Sequence, residues 1–116
     1  MQTALIAFDS KQLTLILSKM LEDFGFVSVF ANTPEQIKPM IEENNPAVLF
    51  TDWTLAGKNI GDIVKDIRQK TTVIFVSKEK EPTQIAQALD LGVAEYIMKP
   101  FDNDILQSKL AMAGLL

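Results

Sequence analysis

Five short apolar runs punctuate the chain: ALIAF (residues 4–8), FVSVF (26–30), AVLF (47–50), VIFV (73–76) and AEYIM (94–98). They recur about every 21 to 26 residues, and the segments between them carry apolar positions at helical spacing. The pattern predicts strand then helix, five times over. After the first run, Leu13, Ile16, Leu17, Met20, Leu21 and Phe24 fall on one helix face, with Ser10 available as a cap and Gly25 just past the end. A second helix opens at TPEQ, where Thr33 can cap, Pro34 suits the first helical position and Gln36 completes a capping box. Pro39 lacks an N–H and is expected to kink or shorten it. Further helices are expected over about 60–69, from Pro82 to just before Gly92, and over about 103–113.

Apolar runs without polar alternation are what strands look like when both faces are covered. The sheet is therefore expected to be parallel, with helices on each side and right-handed crossovers: an α/β, doubly wound, three-layer sandwich. No linker or low-complexity tract interrupts it, so residues 1–116 read as one domain. In such sheets ligands gather outside the carboxyl ends of the strands, near the topological switch point. The residues that close strands are then the candidates. They are Asp9 after the first run, Asp52 in VLFTDWTLAG, Ser77 in VIFVSKE and Lys99 in YIMKPF. For Asp9 two readings compete, since an acid beside a helix start is also ordinary N-cap chemistry.

Composition removes alternatives. With no cysteine and no histidine, disulfides, thiolate or imidazole metal sites and Ser-His or Cys-His nucleophiles are excluded, as is a phosphohistidine on this chain. The N-terminus lacks a basic segment before its apolar run, and no 18 consecutive apolar residues occur. Neither secretion nor membrane spanning is expected, and the reading is cytoplasmic. Fifteen acids against eleven bases, with scattered lysines, give a net charge of -4 that repels a polyanion, so no direct nucleic-acid contact is expected.

Two carboxylates, a hydroxyl and an ammonium at one sheet edge make sense as an acyl-phosphate site. A carboxylate attacks phosphorus only if the incoming phosphoryl charge is neutralised, which calls for a hard divalent cation and a fixed positive side chain. Asp9 and Asp52 can offer oxygens to Mg²⁺, an ion that prefers octahedral oxygen ligation and keeps several waters. Lys99 supplies the fixed charge and Ser77 a hydrogen bond to a phosphoryl oxygen.

The segments FDS, TDWTLAG, VIFVS and EYIMKPF resemble, in order and spacing, the motifs of response-regulator receiver domains. Over essentially its whole length the chain is similar to the single-domain chemotaxis regulators of that family. The resemblance implies a flavodoxin-like sheet of five parallel strands ordered 2-1-3-4-5. It makes Asp52 the phosphoacceptor, Asp9 a Mg²⁺ ligand, Thr54 a ligand through its backbone carbonyl, Ser77 the switch hydroxyl, Lys99 the phosphoryl-binding lysine and Tyr96 the switch aromatic. It also implies a cis Lys99–Pro100 bond, a sensor histidine kinase or phosphotransfer protein as donor, and slow self-dephosphorylation. A downstream protein is implied on the face of the fourth helix, fifth strand and fifth helix. Drawing Ser77 and Lys99 towards a phosphoryl group on Asp52 is expected to vacate space into which Tyr96 turns.

Departures from the family pattern accompany the match. Phe8 stands where the family presents a first acid whose carboxylate holds a metal-bound water, a loss expected to weaken Mg²⁺ about 10- to 100-fold. Lys78 follows Ser77 where a small residue is usual, Ala56 replaces a proline, and AGKNIGD is one residue longer than the common loop. Phe8 and Lys78 raise the alternative of an interaction module of the same fold that works without phosphorylation. A flavin carrier is disfavoured, because DSKQLT is not a Gly/Ser/Thr-rich phosphate cradle. Trp53 is read as covering the rim of the site. Met98, Met112, Leu115 and Leu116 fit either a partner surface or a terminal helix docked on its own sheet, and Lys58, Lys65 and Lys80 a solvated face.

Overall fold

The computed structural model describes residues 1–78 and 81–116. The strands are β1 (Gln2–Ala7), β2 (Phe26–Phe30), β3 (Val48–Thr51), β4 (Thr54–Leu55), β5 (Lys58–Asn59), β6 (Thr72–Ser77) and β7 (Glu95–Met98). The helices are α1 (Lys11–Glu22), α2 (Pro34–Asn44), α3 (Gly61–Ile67), α4 (Pro82–Leu91) and α5 (Asn103–Met112). The main sheet runs β2-β1-β3-β6-β7 with every pairing parallel. β4 and β5 form a separate antiparallel hairpin, so this is the expected order of five strands, 2-1-3-4-5, in a flavodoxin-like α/β fold. The order reverses between β1 and β3, and the crevice outside their carboxyl ends is the place for a ligand.

Successive strand residues face opposite sides, which divides the apolar residues into two layers. Leu17 and Leu21 of α1 and Leu106 and Leu110 of α5 pack on Ile6, Phe50 and Ile74. On the other side Ile37 of α2, Val64 of α3 and Ala88 of α4 pack on Leu5, Leu49 and Phe75. Gly92 closes α4 at φ 105° as expected, and α2 is closed by Asn45 at φ 47°, a stop that the sequence reading does not name.

Four local expectations give way. Ile16 is 51% exposed, because the buried arc of α1 is centred between Leu17 and Leu21 and Ile16 lies about 100° round the helix from Leu17, at its far margin. Pro39 does not interrupt α2; it sits on the exposed side, where water can serve the Glu35 carbonyl that loses its intrahelical donor. The capping box is displaced by one residue: Gln36 Oε1 accepts from the Asn32 N–H at 2.7 Å, while Thr33 makes no cap bond. α3 is also shorter at both ends than expected. Among the described residues, no helix is long and apolar enough to cross a membrane.

Candidate functional site

The site begins at the carboxyl edge of the sheet. Thr51 Oγ1 donates to the Ala7 carbonyl at 2.9 Å, tying β3 to β1 just inside the edge from which Asp9 and Asp52 emerge. On the far side the Lys99 N–H donates to the Ser77 carbonyl at 3.0 Å, carrying the β6–β7 pairing one residue past the strands. The Lys99–Pro100 bond is cis. Between these anchors lies a cleft of about 550 Å³ lined by Asp52, Trp53, Thr54, Ser77 and Lys99, with Asn59, Lys78, Gln84 and Gln87 completing its wall. Four of the strand-end and loop residues singled out from the sequence, Asp52, Thr54, Ser77 and Lys99, thus share one space.

Asp9 lines a different hollow, with Phe8, Lys11 and Phe30. Its role as a cap is taken by its neighbour, since Ser10 Oγ accepts from the Leu13 N–H at 3.1 Å. The Asp9 carboxylate instead reaches across to the loop after β3, where Oδ1 accepts from the Ala56 N–H at 2.8 Å. Asp52 Oδ1 accepts from the N–H of the next residue, Trp53, at 2.7 Å.

That loop is the β4–β5 hairpin. Its two central residues, Ala56 at φ 53° and Gly57 at φ 76°, are both left-handed, the conformation of a type I′ turn, whose twist matches that of antiparallel strands. Proline, held near φ −65°, cannot occupy position 56 in this turn and has no N–H to offer Asp9. The departure from the family's proline therefore has a local physical cause. Leu55 is fully buried and pins the hairpin to the core, while the Ile60 N–H donates to the Trp53 carbonyl at 3.1 Å. Lys58 Nζ pairs with Glu35 of α2, and this hydrogen bond holds the Glu35 carboxyl below its ordinary range.

Trp53 does more than cover a rim. Its indole Nε1–H donates to the Tyr96 hydroxyl at 3.3 Å, and its ring meets Phe75 edge-on with centroids 5.1 Å apart. Phe75 in turn lies 6.3 Å from Tyr96, giving a three-ring cluster that starts at the residue after Asp52. Tyr96 is only 6% exposed. The ring is inside in this structure, so the expectation that it becomes more buried leaves it almost no surface to lose.

Phe8 is 8% exposed and packs in the layer beneath α1 and α5. The Lys99 ammonium lies 6.0 Å from its ring centroid, at the outer reach of a cation–π contact.

Asp9, Asp52 and the Thr54 carbonyl are hard oxygen donors of the kind Mg²⁺ takes, and an ion that retains several waters needs no more from the protein. Among the described residues there is no group of three or more acidic, histidine or cysteine side chains that could hold a metal. The hydrogen bonds described fall on Oδ1 of each acid, and a carboxylate with about four lone-pair sites keeps acceptor capacity beyond one such bond. The donor set fits the ion.

Residues 4–111 match the family model of the response regulator receiver domain. The chain belongs to that family. It is 30% identical over 112 residues to the chemotaxis protein CheY of Pseudomonas aeruginosa, covering 91% of this chain and 90% of that one. It is 31% identical to the chemotaxis protein CheY-3 of Vibrio cholerae, covering 91% and 86%. The transcriptional regulatory protein CpxR of Escherichia coli is 29% identical, and the match covers 95% of this chain but 48% of CpxR. A solved two-component response regulator from Clostridium difficile superposes with a TM-score of 0.86 at 24% identity, covering 97% and 95% of the two chains. The chain is thus a CheY-like receiver domain of two-component signalling. Phosphorylation-dependent switching is consistent with these likenesses, and a phosphorylation-independent module is not favoured by them. Receivers of this family typically bind Mg²⁺ and interact with histidine kinases or phosphotransfer proteins and with downstream targets.

Sequence reasoning passed over several features of the site. Gln84 and Gln87 stand three apart on α4, a spacing that marks one face, but nothing along the chain aims that face at Asp52. The Trp53–Tyr96 bond joins residues 43 positions apart and leaves no local trace. At the C-terminus the two readings divide: Leu115 packs beneath α5, whereas Met98, Met112 and Leu116 are exposed. Lys58 and Lys65 are on the surface, and Lys80 lies outside the described residues.

Proposed function

We propose that residues 1–116 act as a single receiver domain in which Asp52 is the phosphoacceptor. The observation that carries this reading is the shared cleft of Asp52, Ser77 and Lys99. A carboxylate oxygen of Asp52 attacks the phosphorus of a donor phosphohistidine; the new O–P bond forms as the N–P bond breaks, and the imidazole leaves with the bonding pair and takes up a proton. Lys99 pairs with the transferred phosphoryl oxygens, and the Ser77 hydroxyl donates to one of them. Mg²⁺, held by Asp9, Asp52 and the Thr54 carbonyl, supplies charge neutralisation when bound. Its affinity is lowered by Phe8, which contributes no carboxylate. The donor is a sensor histidine kinase or phosphotransfer protein, and the domain works in the cytoplasm without contacting nucleic acid.

The output is a protein-binding surface on α4, β7 and α5, where Leu89, Met98 and Ile105 are exposed. Tyr96 is the switch aromatic beside it. Phosphorylation then acts by holding the ring inward more firmly, in place of driving it further in. The test is incubation with a small-molecule acyl phosphate and Mg²⁺, with the phosphoryl adduct read by intact-protein mass spectrometry. Wild type is expected to gain one hydroxylamine-labile adduct that Asp52→Asn lacks. An adduct that persists in Asp52→Asn would remove Asp52 from the role.

A further inference from the structure

Two observations on this chain have the same address. Ala56 adopts φ 53°, a left-handed value that a residue with a Cβ seldom takes, although its neighbour Gly57 is the residue suited to it. The N–H of the same Ala56 donates to Asp9 Oδ1 at 2.8 Å. An unfavourable backbone conformation persists only where its surroundings over-determine it. Here buried Leu55 fixes one arm of the hairpin, and the Ile60 N–H on the Trp53 carbonyl fixes its base. The turn is thereby held so that its amide points at the carboxylate.

Asp9 has few other means of orientation. Its own helix is capped by Ser10, it is exposed, and the residue before it is an apolar ring turned into the core. An exposed carboxylate free to rotate loses conformational entropy when it takes up a cation, whereas one already fixed by a donor does not. We propose that the Ala56 N–H is the positioning group for Asp9, so that cation affinity at this acid depends on the left-handed Ala56–Gly57 turn. The inference rests on the reading of Asp9 as a Mg²⁺ ligand.

The experiment is a Mg²⁺ titration followed by ¹⁵N–¹H NMR on wild type, Ala56→Pro, Ala56→Gly and Asp9→Asn. In wild type the Ala56 amide is expected to move with the same midpoint as the amides around Asp52. Ala56→Pro removes the donor and the left-handed turn together, and is expected to weaken Mg²⁺ by about tenfold or more. Ala56→Gly keeps the N–H and the turn and is expected to stay within about twofold of wild type. Asp9→Asn, without any metal, is expected to move the Ala56 proton upfield as its charged acceptor is lost. Should Ala56→Pro fail to give a cooperative melt by circular dichroism, the Asp9→Asn shift still decides whether the bond exists. An Ala56 amide indifferent to Asp9→Asn, or a folded Ala56→Pro with the wild-type midpoint, overturns the proposal. A wild type with an Asp9-dependent Ala56 shift but no Mg²⁺ response instead overturns Asp9 as a ligand, and the proposal with it.

Discussion

Replacing Trp53 by Phe removes one hydrogen-bond donor and keeps a ring beside Phe75. The group that suffers is the Tyr96 hydroxyl, which sits in a side chain only 6% exposed and accepts from the indole at 3.3 Å. A buried polar group that loses its partner costs roughly 1–3 kcal/mol, and the edge-on ring contact, worth about 0.5–1.5 kcal/mol, is kept in part. Tyr96 can escape part of the penalty by turning outward, and a penalty of about 1.4 kcal/mol on the inward state corresponds to about a tenfold shift in the ratio of inward to outward ring. The reciprocal change, Tyr96→Phe, leaves the donor unpaired instead, but Trp53 is half-buried and water can reach its N–H, so the cost is expected near 0.5–1 kcal/mol. Trp53→Phe should therefore be the more damaging of the two, although it alters the less buried residue. Urea unfolding followed by far-ultraviolet circular dichroism measures both, as the only tryptophan is absent from one variant. NMR of the single tyrosine ring reports its environment directly. Beryllofluoride bound at Asp52 should then draw the ring back inward in Trp53→Phe, a larger change than in wild type. If Trp53→Phe unfolds within about 0.3 kcal/mol of wild type and its tyrosine resonances superpose on the wild-type ones, Trp53 does not hold Tyr96.

Other consequences concern position 8 and the hairpin's outer edge. Phe8→Asp is expected to tighten Mg²⁺ about 10- to 100-fold by restoring a water-holding carboxylate, while costing about 3 kcal/mol or more because a nearly buried ring leaves the α1–α5 layer. Calorimetric Mg²⁺ titration and thermal unfolding separate the two effects, and an unchanged midpoint makes Phe8 a core residue only. Glu35, held by Lys58 below its ordinary value of 4.5, contributes stability that is full above that value and fades as the pH falls through its lowered folded-state pKa. Carboxyl NMR should show Glu35 titrating below its ordinary value of 4.5, and Lys58→Met should raise it.

Element positions were legible because each rests on a short-range signal. The apolar runs coincide with the sheet strands, and Pro82 and Gly92 bracket α4 through chemistry confined to single residues. The candidate site was legible for a different reason: in a parallel sheet the strand ends are neighbours, so Asp52, Ser77 and Lys99 could be grouped without any contact between them being known. What escaped depends on rotation or on distance along the chain. The helical period groups Ile16 with the buried residues of α1, but the angle at which the helix meets the sheet, which leaves Ile16 exposed, is not written in that period. In the sequence the hairpin shows only as an extra residue, because the signal for its turn, a left-handed first position, is normally carried by Asn, Asp or Gly and here falls on Ala56. The Ala56–Asp9 and Trp53–Tyr96 bonds span 47 and 43 residues, and no local rule reaches that far.

The sheet separates Phe8 from the rings that follow Asp52. Phe8 is packed with α1 and α5, while Trp53, Phe75 and Tyr96 belong to the layer under α2, α3 and α4. Substitutions that share no packing partner combine nearly additively. Changes at position 8 and changes among Trp53, Phe75 and Tyr96 are thus expected to add in their effect on stability, so that either place can be repacked without the other.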